Sequence, residues 1–80
     1  MYFVYVLKSE KDKKFYIGIT NNIEKRLKQH NDGNNFSTKY RKPFILVYYE
    51  IKENRQEARK REKFLKSGCG RELVKQLINN

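Results

Sequence analysis

Cysteine and histidine are nearly absent from this chain. Cys69 and His30 are each the single residue of their type among 80, so no internal disulfide can close and a structural zinc site of the usual four ligands cannot be assembled. Hydrophobic runs are short, and none approaches the roughly 20 residues that span a bilayer. The first strand-like run begins at Tyr2 with no basic segment, apolar stretch and cleavage site ahead of it. A soluble, cytoplasmic protein with no membrane partner is expected. Internal repeats, low-complexity tracts and interdomain linkers are missing as well. A length of 80 residues supports one domain, residues 1–80, with a small core and a modest stability margin.

Acidic residues are also scarce. The 9 Asp and Glu stand against 19 Lys and Arg, for a net charge of +10. A surface of that sign attracts polyanions, of which nucleic acid is the commonest in a cytoplasm. An anionic membrane surface or an acidic protein is the weaker alternative, and solubility alone explains a few lysines more readily than ten excess charges. The cations are spread along the sequence rather than gathered in a tail, so the fold itself must carry the binding face.

What is present is a regular succession of apolar and amphipathic segments. "YFVYVL", from Tyr2 to Leu7, is continuously apolar, as a strand covered on both faces would be. The short polar "SEKDKK" separates it from "FYIGIT", Phe15 to Thr20, and the two runs read as an antiparallel hairpin. A first helix is predicted from about Asn22 to His30, with Asn21 and Glu24 in the register of a capping box. The segment "NDGNNFSTKYRKP" has no sustained period and reads as a long, functional loop, after which "FILVYYE", Phe44 to Glu50, supplies a third strand. A second helix is predicted over Arg55–Ser67, started by Asn54 with Glu57 and ended by a left-handed Gly68. Leu73, Val74, Leu77 and Ile78 then recur at helical spacing. The expected fold is α/β in the broad sense (α+β): a small three-stranded sheet flanked by helices, in the order β-β-α-β-α-α.

Candidate chemistry sits at the margins of these elements. On the first helix Ile23 and Leu27 form the inward stripe, Lys25 and Lys28 face water, and Arg26 and His30 share one margin as i, i+4 neighbours. Glu62 stacks near Ala58 and Leu65 on the second helix and can reach inward, while Arg59, Lys63 and Lys66 turn outward. Each residue also has an ordinary reading: a satisfied structural histidine, a surface arginine, a glutamate paired to its basic neighbours, two core tyrosines in Tyr5 and Tyr16, and a β-bulge at Gly18.

Taken together, a tyrosine on the first strand, Tyr16-Ile17-Gly18 on the second, Arg and His four residues apart on the next helix, and Glu on a later helix resemble the GIY-YIG nuclease domain. The resemblance covers essentially the whole chain. It is nearest to the small stand-alone branch related to the amino-terminal nuclease domain of the excision-repair endonuclease. The first motif is degenerate, Phe3-Val4-Tyr5, and keeps the tyrosine alone. The resemblance implies a Mg²⁺-dependent (or Mn²⁺-dependent) endonuclease acting on DNA more than RNA, in repair or processing. Tyr5 and Tyr16 would be the motif tyrosines, Arg26 and His30 would lie beside the scissile phosphate, and Glu62 would be the metal ligand.

The residue types suit that chemistry. Glu62 is a hard oxygen ligand, Arg26 a fixed donor fork for phosphate, and Tyr5 and His30 are both candidates for the base. A phenol would need nearby positive charge to be acidified for that role. Gly18 would let the sheet approach the tyrosines and the bound backbone. In the loop, Lys39, Tyr40, Arg41 and Lys42 offer cations and an aromatic face to nucleic acid, although Phe36 and Tyr40 serve equally well as plugs at the core edge. No sequence-reading helix or zinc finger is present, so structure-selective or nonspecific cutting is expected. The rival readings are a noncatalytic DNA- or RNA-binding module and an adaptor for an acidic protein. Oligomeric state is not fixed by the sequence.

Overall fold

A computed structural model describes residues 1–33 and 40–79. Its elements are β1 (Tyr2–Ser9), β2 (Phe15–Thr20), α1 (Ile23–Asn31), β3 (Phe44–Lys52), α2 (Arg55–Lys66) and α3 (Gly68–Asn79), in the expected α+β order. The sheet runs β2-β1-β3 and is antiparallel throughout. The most continuously apolar strand is therefore the central one. Its alternate residues feed two cores: Val4 and Val6 pack with Ile17, Ala58, Leu65 and Val74 on the side of α2 and α3. Tyr5 and Leu7 pack with Phe44 and the inward residues Ile23 and Leu27 of α1. No helix among the described residues is long and apolar enough to cross a membrane.

The β1–β2 ladder is unbroken from Phe3↔Thr20 to Lys8↔Phe15 and passes through Tyr5↔Gly18. The sheet's irregularity lies instead between Val6 and Leu7, whose partners on β3 are Tyr48 and Leu46, so that Val47 is the extra residue. The bulge expected at Gly18 is thus on another strand, and Gly18 needs a different explanation.

Helix starts follow capping chemistry, with one correction. Asn54 caps α2 by accepting from the Glu57 N–H at 2.9 Å, as the spacing predicts. At α1 the cap is Asn22, not Asn21: its side chain accepts from the Lys25 N–H at 3.1 Å. Thr20 decides this by clamping the strand exit, its hydroxyl accepting from the Asn22 N–H at 3.1 Å. The left-handed glycine terminator occurs at Gly33 after α1, with φ 79, rather than at Gly68.

Gly68 is instead the first residue of α3. Ser67 separates the two helices: its hydroxyl donates to the Phe64 carbonyl and accepts from the Gly70 N–H at 3.2 Å. One serine ends α2 and caps α3, which starts the last helix earlier than the apolar spacing indicates. The junction brings backbones so close that a Cβ on Gly70 would collide with the Phe64 carbonyl oxygen and Leu65 Cα.

Gly70→Ala must therefore push the two helices apart, and overpacking of this kind costs about 1–3 kcal/mol. Gly68→Ala meets open space and is expected to be neutral or to stabilise by about 0.5 kcal/mol. Urea unfolding of the two variants checks both; equal stabilities would overturn the account of the junction.

Candidate active site

Tyr5 sits at the middle of the central strand, 1% exposed, and its ring leans across β2 at Gly18. A Cβ on Gly18 would lie 2.5 Å from the Tyr5 hydroxyl and 2.7 Å from Cζ. The glycine is the space that the phenol fills. From α1, Arg26 Nε donates to the Tyr5 oxygen at 3.3 Å, and His30 Nε2 lies 3.2 Å from the same oxygen. In the tautomer that leaves Nε2 unprotonated, the phenol donates its hydrogen to His30 while accepting from Arg26, and the chain runs Arg26→Tyr5→His30. Tyr16, on the same sheet face, sets its ring edge-on against His30 with centroids 4.8 Å apart.

The helix that carries these groups is pinned at its carboxyl end. Asn31 accepts from the Phe44 N–H at 2.6 Å and donates to the Phe44 carbonyl at 3.1 Å, tying the end of α1 to the start of β3. Gln29 accepts from Arg26 Nη1 at 3.2 Å and holds the guanidinium. Neither residue is singled out by sequence reasoning. Asn31 looks like loop composition until β3 is placed beside it, and Gln29 looks like a solvated face.

Burial sets the charge states. His30 is fully buried, and desolvation, followed by the Arg26 charge, lowers its pKa to about 4, so it is neutral near pH 7. Burial also raises the Tyr5 pKa, against the hydrogen bond from Arg26; Tyr16 and the Glu62 carboxylate push it up further. The expected acidification of this phenol by positive charge is therefore outweighed. Arg26 is held more firmly protonated, chiefly by its hydrogen bond to Tyr5.

Glu62 comes from α2, which packs on the other core, and it is buried. Its oxygens pair with Lys66 at 3.1 Å and Arg59 at 3.6 Å. It acts on Tyr5 electrostatically, while Arg26, His30 and Tyr16 each meet Tyr5 directly. No group of three or more His, Cys, Asp or Glu gathers among the described residues. A cation held here would have one protein carboxylate and would complete its shell with water and phosphate, which suits hydrated Mg²⁺ rather than zinc. A cleft of about 230 Å³, lined by Thr20, Lys25, Arg26 and Gln29 among others, opens beside the guanidinium.

The loop residues separate. Tyr40 is 72% exposed and Lys42 is exposed. Arg41 pairs with Asp12 at 2.9 Å and lies over the Phe44 ring, bracing the loop against the β1–β2 turn. Lys39 and Phe36 lie outside the described residues.

The model of the GIY-YIG catalytic domain matches residues 1–72. A UPF0213 protein of Clostridium perfringens is 49% identical over 67 residues, covering 82% of this chain and 71% of that relative. A UPF0213 protein of Staphylococcus haemolyticus is 36% identical over 77 residues, covering 95% and 93%. Among solved structures, the solution NMR structure of a UPF0213 protein from Bacillus halodurans aligns with TM-score 0.58 and 31% identity, covering 96% of this chain and 85% of that one.

The buried histidine gives the fold an acid limit. Its folded pKa lies below the unfolded value of about 6.5, so the unfolded state binds the extra proton and stability falls as pH drops from about 6.5 toward 4. Between pH 7 and 5 the loss should be about 2 kcal/mol, and His30→Gln should remove most of that slope. Urea unfolding at both pH values measures it; a wild-type protein equally stable at each would contradict a neutral, buried His30.

Proposed function

The chain belongs to the GIY-YIG family, and on that premise we propose that it is a metal-dependent endonuclease that hydrolyses DNA phosphodiester bonds in a structure-selective or nonspecific way, in DNA repair or processing. The observation that carries the reading is the convergence of Arg26 and His30 on the Tyr5 oxygen. A fixed cation and a neutral imidazole thus meet at one oxygen.

Arg26 binds a nonbridging oxygen of the scissile phosphate from the cleft at the end of β2. Tyr5 receives the proton of the attacking water as it passes its own to neutral His30, so the relay needs no free phenolate. That assigns Tyr5 the direct contact and makes His30 the acceptor behind it. The incoming phosphate's negative charge raises the basicity that burial takes from His30. Tyr16 packs edge-on against the imidazole and holds it in position, and Gly18 serves by leaving room for the phenol. Glu62 is the residue that would hold Mg²⁺ or Mn²⁺, whose chemistry there is charge stabilisation of the phosphate and its leaving oxygen. Tyr40 and Lys42 extend the cationic and aromatic surface next to the site.

One observation favours the second reading, a noncatalytic DNA- or RNA-binding module. Glu62 already has two cationic partners, and a metal must displace at least one of them.

Labelled linear, branched and single-stranded DNA and RNA, incubated with Mg²⁺, Mn²⁺ or EDTA, separates the two. Metal-dependent cleavage of DNA is expected. Glu62→Gln should abolish the metal response, and Tyr5→Phe should lower kcat by about 100-fold with substrate affinity nearly unchanged. Gly18→Ala, which displaces the phenol, should lose comparable activity. Binding without cutting under every condition would leave the noncatalytic module.

A further inference from the structure

A second groove, of about 770 Å³, runs between β2 and the first turns of α3. Six cations line it, Lys13, Lys14, Arg41, Lys66, Arg71 and Lys75, against the single acid Glu72. Four of the six have acidic partners: Lys13 with Glu10, Arg41 with Asp12, Lys66 with Glu62 and Lys75 with Glu72. Lys14 and Arg71 have no ion-pair partner among the described residues. Pairs such as Lys75 with Glu72, at 3.6 Å between side chains 60% and 72% exposed, are worth little and exchange readily for a phosphate. The attraction is that of the side chains. The amino end of α3 is already occupied, since Ser67 takes its Gly70 N–H.

Two wall residues join this groove to the candidate active site. Tyr16 packs on His30, and Lys66 pairs with Glu62. Through these two residues the groove borders the candidate site. Its α3 wall extends past residue 72, where the match to the catalytic-domain model stops, and carries Lys75. The lining contains no Asn or Gln, the side chains best suited to reading adenine edges.

We propose that this groove is the path of one nucleic-acid strand, gripped by its phosphates to one side of the scissile bond, with Arg71, Lys75 and Lys14 as the contacts. The assignment of direction rests on the nuclease reading; the binding surface itself does not. Phosphates carry no sequence information, which makes the grip indifferent to sequence and equally open to DNA and RNA.

The test is fluorescence anisotropy of labelled single-stranded DNA and RNA of one sequence, across a salt series, with wild type, Arg71→Ala/Lys75→Ala and the control Arg55→Ala/Lys60→Ala. The control removes two exposed α2 cations that do not line the groove. All the altered residues are exposed, so folding is checked simply by melting temperature. The groove pair should weaken binding by roughly tenfold or more and reduce the salt slope by about 1 to 2, on DNA and RNA alike. The control should change affinity by less than about twofold, the result expected of charge far from a contact. Equal losses in both pairs, or none in either, overturn the groove. If Mg²⁺ elicits no cleavage by wild type while the loss stays confined to the groove pair, the groove stands and the nuclease reading falls. If wild type cleaves and the groove pair cleaves with the same KM, the nuclease reading stands and the groove falls.

Discussion

A phenol laid across a glycine organises this molecule. Tyr5 could not tilt over β2 if residue 18 carried a Cβ, and without that tilt its oxygen would not meet both Arg26 and His30. The requirement propagates outward. It needs Tyr5 and Gly18 to be direct cross-strand partners, which fixes the hairpin register, because a slip of one residue would turn the tyrosine to the other face. It needs α1 to present residues one turn apart to the same oxygen, which fixes the rotation of that helix. Asn31 then locks the rotation by closing both backbone groups of Phe44. The packing of one core and the geometry of the candidate site are consequently one constraint.

Much of this was legible in the sequence, for identifiable reasons. The continuous apolar run at Tyr2–Leu7 marks a strand buried on both faces, and it is the central strand. Asn54 with Glu57 marks a helix start because capping is a local hydrogen bond between residues three apart. Ile23 and Leu27 against Lys25 and Lys28 give the rotation of α1, and with it the pairing of Arg26 and His30. What escaped depends on contacts between distant segments. Gly68 has the position of a helix terminator, yet the terminator is Ser67, and the reason lies in the approach of α3 to α2 at Gly70. Gly18 announces a close approach without saying what approaches; only the sheet register identifies the Tyr5 ring. The shift from Asn21 to Asn22 reflects Thr20, a residue outside the capping pattern.

The electrostatics divide by depth. At the surface the +10 charge is spread over long, solvated side chains that hold their acidic partners loosely, a state from which phosphate can recruit them. At the centre a single buried imidazole is kept neutral by desolvation and by one guanidinium. A protonated histidine would set a buried cation beside the half-buried Arg26, in a protein already rich in positive charge. Its neutrality leaves one ring nitrogen able to accept, and with that nitrogen at Nε2 it takes the phenol hydrogen. The same burial that destabilises its charged form therefore makes an acceptor nitrogen available beside the phenol.

Lys66 stands where the two regimes meet. Its ammonium belongs to the Glu62 carboxylate at 3.1 Å and also to the wall of the groove. One flexible, half-exposed cation cannot serve a carboxylate and a phosphate at full strength. On the two readings proposed above, a strand in the groove draws Lys66 toward phosphate and weakens its hold on Glu62, leaving that carboxylate more available to a divalent cation. Linkage makes the effect reciprocal: a cation on Glu62 releases Lys66 toward the strand. A lone carboxylate among cations then becomes intelligible as a ligand whose counter-charge is exchanged when substrate arrives, and α2, which carries both Glu62 and Lys66, is the element through which grip and chemistry are coupled.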